Sequence, residues 1–125
     1  MILVVDDDPD LRLVIAEVLE DDGYEVMTAE NGRDAIEQIA SMVVPPLLVV
    51  LDLMMPVADG YAVLRSLRHE LALDVPVIIF SAQADLGAPL TNPVRAVLRK
   101  PISLYAFLDA VRALVETGAS GCARD

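Results

Sequence analysis

The chain has 125 residues, of which 55% are hydrophobic and 23% charged, so it suits one compact domain and is too short for two of ordinary size. Its net charge of −11 argues against direct contact with nucleic acid or an anionic membrane surface. The single cysteine, Cys122, excludes an intramolecular disulfide, and no uncharged run approaches the ~18 residues that span a bilayer. Because Met1 leads into an apolar run without the basic segment of a signal peptide, we expect a cytoplasmic protein.

Short apolar runs alternate with amphipathic segments along the chain. The apolar runs predict five strands, at residues 2–5, 24–28, 47–51, 77–80 and 94–98. The third is apolar at consecutive positions, as expected for a strand that is covered on both faces.

Helices are predicted between these strands from apolar residues spaced three and four positions apart. The first is capped by Asp8 and ends at Gly23, the second follows an Asn31-Gly32 turn, the third opens at Gly60, and the last is capped by Ser103. The residues expected to face the core are Leu11, Val14, Ile15, Val18 and Leu19, then Ala35, Ile36, Ile39 and Ala40, then Ala62, Val63, Leu64 and Leu67, and finally Leu104, Phe107, Leu108, Val111, Leu114 and Val115.

One segment departs from this alternation. Between the fourth and fifth strands, Gly87, Pro89 and Pro93 stand where they would break a long helix, which predicts a short or irregular fourth helix. Strands alternating with helices predict an α/β fold, a doubly wound parallel sheet in three α/β/α layers. We expect one domain over residues 1–118 and a flexible tail over residues 119–125.

Polar residues follow the predicted strands where each strand ends. Asp6 and Asp7 follow the first strand, Asp52 the third, Ser81 the fourth and, one position further on, Lys100 the fifth. Because right-handed helical crossovers place the carboxyl ends of parallel strands at one edge of the sheet, these residues should meet in space.

The charges of this group predict a cation. Asp6, Asp7 and Asp52 against Lys100 leave a deficit of two positive charges, which suits one divalent ion. Two like charges at ~4 Å repel by ~1 kcal/mol in water and ~4 kcal/mol at an effective dielectric of 20, so converging carboxylates need such an ion. Asp8 is expected to act only as a helix cap.

Four short motifs, each at a predicted strand end, resemble the signature of response-regulator receiver domains: Val4-Val5-Asp6-Asp7, Asp52-Leu53-Met54-Met55-Pro56 with Asp59-Gly60, Ser81-Ala82, and Lys100-Pro101. The resemblance covers nearly the whole chain. It implies a five-stranded sheet in flavodoxin-like order, phosphorylation of Asp52 by a partner histidine kinase, and a bound magnesium ion.

The residue chemistry assigns roles within this site. Asp52 would be the phosphoacceptor, since its carboxylate can form an acyl phosphate, while Lys100 and Ser81 would contact phosphoryl oxygens. Mg²⁺, with Mn²⁺ as an alternative, takes oxygen ligands. The metal ligands, of which the last is implied by the resemblance alone, are Asp6, Asp7, Asp52 and the backbone carbonyl of Met54.

Four positions, of which Met54 is also an expected metal ligand, are expected to modulate the switch. The resemblance implies that Met54 and Gln83 tune hydrolysis of the phosphoryl group and that Pro101 follows a cis bond that aims Lys100 inward. Val97 stands where the family commonly has a Tyr or Phe that moves on activation. The stretch from Ser81 to Lys100 is also shorter than usual in the family, so the surface formed by this stretch is expected to be remodelled.

The sequence therefore predicts a phosphoacceptor of a two-component or phosphorelay system, with no activity beyond self-catalysed phosphoryl acceptance and slow autodephosphorylation. The expected partners are a sensor histidine kinase or histidine phosphotransfer protein and an unknown downstream protein. Two alternatives stay open: an interaction module that is never phosphorylated, and a small aspartyl-nucleophile phosphatase. The second lacks an acid two residues after Asp52 to serve as general acid.

Overall fold

The computed structural model describes residues 1–52, 60–67, 75–81, 94–99 and 103–123. In chain order the elements are β1 (Ile2–Val5), α1 (Pro9–Asp21), β2 (Val26–Ala29), α2 (Gly32–Ser41), β3 (Leu48–Asp52), α3 (Gly60–Arg65), β4 (Val77–Ser81), β5 (Val94–Arg99) and α4 (Leu104–Ala123). The predicted irregular helix between β4 and β5 lies outside the described residues.

The five strands form one parallel sheet in the order β2-β1-β3-β4-β5. This confirms the doubly wound, flavodoxin-like order. The register aligns the strand ends, because Val5 pairs with Leu51 and Asp52 pairs with Phe80. The residues that follow β1 and those that end β3 and β4 therefore share the carboxyl edge of the sheet.

Two apolar layers cover the sheet, which makes the three-layer architecture. Successive residues of a strand face opposite sides, so β1 and β3 are buried throughout. One layer packs against α2 and α3 and contains Leu3, Val5, Ala29, Ala35, Ile39, Val49, Leu51, Val63, Leu67, Val75, Val77 and Ile79. The other packs against α1 and α4 and contains Ile2, Val4, Ile15, Leu19, Leu48, Val50, Ile78, Phe80, Phe107 and Val111.

Side-chain caps fix where the helices begin. The carboxylate of Asp8 accepts hydrogen bonds from the backbone N–H groups of Asp10 and Leu11, as predicted, and Gly23 ends the first helix region with a φ of 95°. Asn31-Gly32 was wrongly predicted as a turn. Asn31 instead caps α2 by accepting from the N–H of Asp34 at 2.8 Å, since a short polar side chain can satisfy an unpaired donor of the first turn.

The sequence pattern overestimated the width of some apolar faces and misplaced one strand. Val14 and Ala40 are exposed, because each is rotated by about 100° from a neighbour that faces the core, Ile15 and Ile39 respectively. Leu104, the first residue of α4, is also exposed. The second strand is Val26–Ala29 rather than 24–28, since its register follows the pairing with β1.

Helix α4 continues to Ala123 and thus includes residues 119–123, which the sequence predicts as part of a flexible tail. The reason is that no proline interrupts this segment and each added residue gains one backbone hydrogen bond. A domain boundary near residue 118 stays a proposal. Within the described part of the chain, no helix is both long and apolar enough to cross a membrane.

An ion pair joins the end of α1 to α4, the two helices that pack on the same side of the sheet. Asp22 directly follows the last residue of α1. Arg112 of α4 donates to its carboxylate, from Nε to Oδ2 at 3.0 Å and from Nη2 to Oδ1 at 2.7 Å. These hydrogen bonds hold the pKa of the Asp22 carboxyl below its ordinary value. The pair fixes the C-terminal end of α1 against α4.

Candidate functional site

Three hydrogen bonds between described residues hold the loop between β1 and α1 at Asp6. The backbone N–H of Asp6 donates to the carbonyl of Ala29 at 3.2 Å, which extends the β1–β2 ladder by one residue. The Asp6 Oδ1 accepts from the N–H of Asp8 at 2.9 Å, and its carbonyl accepts from Nη1 of Arg12 at 2.7 Å. Asp6 is only 2% exposed, so its carboxylate has a fixed position at the carboxyl edge of the sheet.

Three carboxylates converge at this edge, as the sequence predicts. Asp6, Asp7 and Asp52 each offer an oxygen atom, and the three oxygens lie within 4.8 Å of one another. Asp52 is 3% exposed, whereas Asp7 faces solvent. The strand register explains the convergence, because Val5 and Leu51 are paired and the acids follow them directly.

This donor set fits a hard divalent cation. Magnesium binds through one or two carboxylates and keeps several waters, and calcium also takes oxygen ligands. Two buried acids supply fixed oxygens, and the exposed Asp7 leaves the open side of the group accessible to water. The carboxylates of Asp6, Asp7 and Asp52 are therefore suited to hold one Mg²⁺ or Mn²⁺ ion.

The other predicted site residues are described only in part. Ser81 ends β4 one residue beyond Phe80, the partner of Asp52, so its backbone lies at the same edge as the carboxylates. Ser81 pairs with Arg99, the last residue of β5. The remaining predicted site residues, which lie outside the described part of the chain, are Met54, Gln83, Lys100 and Pro101.

Comparison with known proteins decides the family. The profile of the response regulator receiver domain matches residues 2–112. The chain belongs to this family.

Curated relatives agree with this assignment. The response regulator MprA of Mycolicibacterium vanbaalenii is 39% identical over 117 residues, which cover 91% of this chain and 49% of that protein. The response regulator RR06 of Streptococcus pneumoniae is 36% identical over 120 residues, covering 91% of this chain and 52% of that protein. The chain spans about a third to a half of the length of the curated relatives it matches.

Solved structures confirm the receiver fold. The receiver domain of the Francisella response regulator 1452 superposes with a TM-score of 0.84 at 29% identity and covers 94% of this chain and 97% of that chain. The response regulator TrrA of Thermotoga maritima, in complex with Mg²⁺-BeF, gives a TM-score of 0.78 at 32% identity and covers 90% of this chain and 96% of that chain.

At Val97 this receiver domain carries a small side chain that contributes to the core. Val97 is partly buried, pairs with Ile79 of β4 and packs against the apolar layer beneath α2 and α3. A valine is shorter than an aromatic residue and has no ring. The movement of a Tyr or Phe ring that is common in the family therefore cannot occur at this position.

Arg12 is a residue near this site that the sequence motifs do not include. In the sequence Arg12 resembles an ordinary surface charge, because a cation in the first turn opposes the helix dipole but this placement does not show which contact compensates it. The structure supplies that contact, the carbonyl of Asp6.

Proposed function

We propose that this receiver domain accepts a phosphoryl group on Asp52 from a phosphohistidine of a sensor kinase or a histidine phosphotransfer protein, and that it does so with Mg²⁺. The observation that carries the proposal is the convergence of Asp6, Asp7 and Asp52 at the carboxyl edge of the sheet. Burial also favours Asp52 as the acceptor, because its surroundings limit the access of water to an acyl phosphate.

The residues of this chain would act as follows. An oxygen of the Asp52 carboxylate attacks phosphorus, so that an O–P bond forms while the N–P bond of the donor breaks and the donor imidazole leaves. Asp6 and Asp7, together with Asp52 and the carbonyl of Met54, would hold the metal ion. When bound, Mg²⁺ neutralises charge on the carboxylates and on the phosphoryl oxygens.

Ser81 and Lys100 would stabilise the transferred group. Ser81 ends the strand beside β3 and its hydroxyl would donate to one phosphoryl oxygen, and the Lys100 ammonium would act on another as a point charge. We assign Met54 and Gln83 to the control of water access. The release of the phosphoryl group to water would then be slow and catalysed by the domain itself.

Phosphorylation would change a surface that a downstream protein recognises. Because Val97 replaces the aromatic residue common in the family, the change would pass through Ser81 and the segment that precedes β5, with Pro101 fixing the direction of Lys100. The donor and the downstream protein would meet this domain in the cytoplasm. The Mg²⁺-BeF complex of the relative TrrA supports magnesium as the ion.

Intact-mass measurement after incubation with acetyl phosphate and Mg²⁺ tests the proposal. Wild type should gain the mass of one phosphoryl group, Asp52→Asn should gain none, and EDTA should prevent the gain. Asp10→Asn is the matched control, because it removes the same charge from an exposed position in α1 and should still be phosphorylated.

Two results would contradict the proposal. Wild type without a mass gain would favour an interaction module that is never phosphorylated. Continuous release of inorganic phosphate from many phosphate esters would favour a phosphatase.

A further inference from the structure

The half-buried side chain of Arg12 links helix α1 to the acidic loop. Its backbone N–H donates to the carbonyl of Asp8 at 2.9 Å as part of the first turn, while Nη1 of its guanidinium reaches back to the carbonyl of Asp6 at 2.7 Å. The same residue therefore contacts the loop at Asp6 and at Asp8, on either side of Asp7.

The place of Arg12 in the helix makes this contact informative. Asp8 and Asp10 at the start of α1 suit the positive end of the helix dipole, whereas the cation of Arg12 opposes it. A residue that breaks a local rule calls for a compensating gain elsewhere, and functional sites are where such exceptions gather. Here the gain is a short hydrogen bond from a charged donor, which is stronger than a hydrogen bond between two neutral groups.

The contact acts on a residue whose carboxylate belongs to the metal site. Asp6 is held by Ala29 at its N–H, by Asp8 at Oδ1 and by Arg12 at its carbonyl. Of these, only the Arg12 contact joins the Asp6 main chain to helix α1. Without it, the peptide between Asp6 and Asp7 loses a hydrogen bond that ties it to helix α1.

We propose that Arg12 is a positioning residue of the metal site: its guanidinium holds the Asp6 carbonyl so that the carboxylates of Asp6 and Asp7 face Asp52 at a spacing suited to one Mg²⁺ ion. This inference rests on the metal binding in the proposed function. It assigns to Arg12 an effect on metal affinity, although Arg12 offers no ligand atom.

Charge and positioning predict opposite effects on affinity when Arg12 is removed. If Arg12 served only as a countercharge for the three acids, its loss would leave a more negative site and tighten Mg²⁺ binding. If it positions the loop, its loss weakens binding, since outer-shell partners of metal ligands typically contribute about 10- to 100-fold in affinity. The sign of the change therefore separates the two roles.

Titration calorimetry of MgCl₂ into metal-free protein measures this sign directly. We expect Arg12→Ala to bind Mg²⁺ more weakly, with a Kd about tenfold higher than that of wild type. Arg12→Lys should fall between wild type and Arg12→Ala, because an ammonium keeps the charge but not the planar fork of donors. Arg65→Ala is the matched control, since Arg65 is an exposed arginine in the last turn of α3, and its Kd should stay near that of wild type.

Thermal unfolding gives a second readout that a purely structural role would not move. Each variant is compared with its own metal-free Tm, and the Mg²⁺ concentration needed for a given rise in Tm reports affinity separately from intrinsic stability. We expect that concentration to be higher for Arg12→Ala. If Arg12→Ala does not fold, the same Mg²⁺ titration of Arg12→Lys tests the inference. A Kd of Arg12→Lys equal to that of wild type would then overturn it.

The outcomes separate this inference from the proposed function. Unchanged or tighter Mg²⁺ binding by a folded Arg12→Ala would overturn the inference alone. Wild type that binds Mg²⁺ but is not phosphorylated would overturn the phosphoacceptor proposal alone. Wild type that binds no Mg²⁺ at millimolar concentration would overturn both.

Discussion

Neutralising Asp52 should stabilise the metal-free protein, although the substitution removes the proposed phosphoacceptor. In Asp52→Asn the side chain keeps its shape and an acceptor oxygen but loses its charge. The carboxylates of Asp6, Asp7 and Asp52 lie within 4.8 Å of one another, so each pair repels in the absence of a cation. The substitution removes two of these three repulsions.

Burial decides how large the gain is. At 4.8 Å two unit charges repel by about 0.9 kcal/mol in water and about 3.5 kcal/mol at an effective dielectric of 20. Asp6 and Asp52 are both almost fully buried, so their repulsion lies toward the higher figure, whereas exposed Asp7 adds little. After allowance for relaxation and for the proposed attraction between Asp52 and Lys100 that the substitution also removes, we expect the free energy of unfolding to rise by about 1–3 kcal/mol.

Urea denaturation in EDTA measures this gain, and a parallel series in saturating Mg²⁺ checks its origin. Bound Mg²⁺ neutralises the carboxylates of wild type and stabilises it by mass action, so the advantage of Asp52→Asn should shrink or reverse. Asp10→Asn is the control with the same change of net charge. Because Asp10 lies in the first turn of α1, its neutralisation should lower stability by a few tenths of a kcal/mol.

The electrostatic reasoning would be refuted if Asp52→Asn were no more stable than Asp10→Asn in EDTA. It would also fail if the gain were the same with and without Mg²⁺, since the effect would then arise from packing rather than charge.

Three further predictions concern the fold that supports the site. Phe107 is fully buried, and its ring packs edge to face against Phe80 with 5.4 Å between the ring centroids. Phe107→Ala should therefore lower the free energy of unfolding, measured by guanidinium chloride denaturation, by about 3–5 kcal/mol. A loss under 1 kcal/mol would contradict the packing. Asp8→Ala removes the cap of α1 and should cost about 1 kcal/mol, whereas an unchanged urea midpoint would argue against the cap. Because Arg112 lowers the pKa of Asp22, their pair stabilises the fold above the ordinary carboxyl pKa of 3.8 and loses this effect as pH falls through the lowered value. Arg112→Ala should therefore be less stable than wild type near neutral pH and approach it in acid; a gap that persists at low pH would exclude the ion pair as its cause.

The residues that define the site could be recognised from the sequence because topology constrains them. Asp6, Asp7 and Asp52 directly follow or end apolar runs, and parallel strands with helical crossovers have all their carboxyl ends at one edge. The order of the acids along the chain thus indicated which carboxylates would meet. It could not give their separation, which depends on the register that pairs Val5 with Leu51.

Other features could not be read from the sequence because they depend on contacts made after the chain has folded. Arg12 and Arg112 both resemble ordinary surface charges in the sequence, yet one bonds the Asp6 carbonyl and the other bonds Asp22, ninety positions away. Likewise, helical periodicity indicated an apolar face but not its edge, so Val14 was expected in the core and is 43% exposed.

The sequence by itself determined the alternation of strands and helices, the parallel sheet, and the acids at its carboxyl edge, because each of these follows from local hydrophobic patterning and chain connectivity. The tertiary structure alone decided the spacing of the three carboxylates, the burial of Asp52 and the contact of Arg12 with Asp6. The physical reason is that patterning specifies which face of an element is buried, whereas distances between side chains depend on how the elements pack against one another.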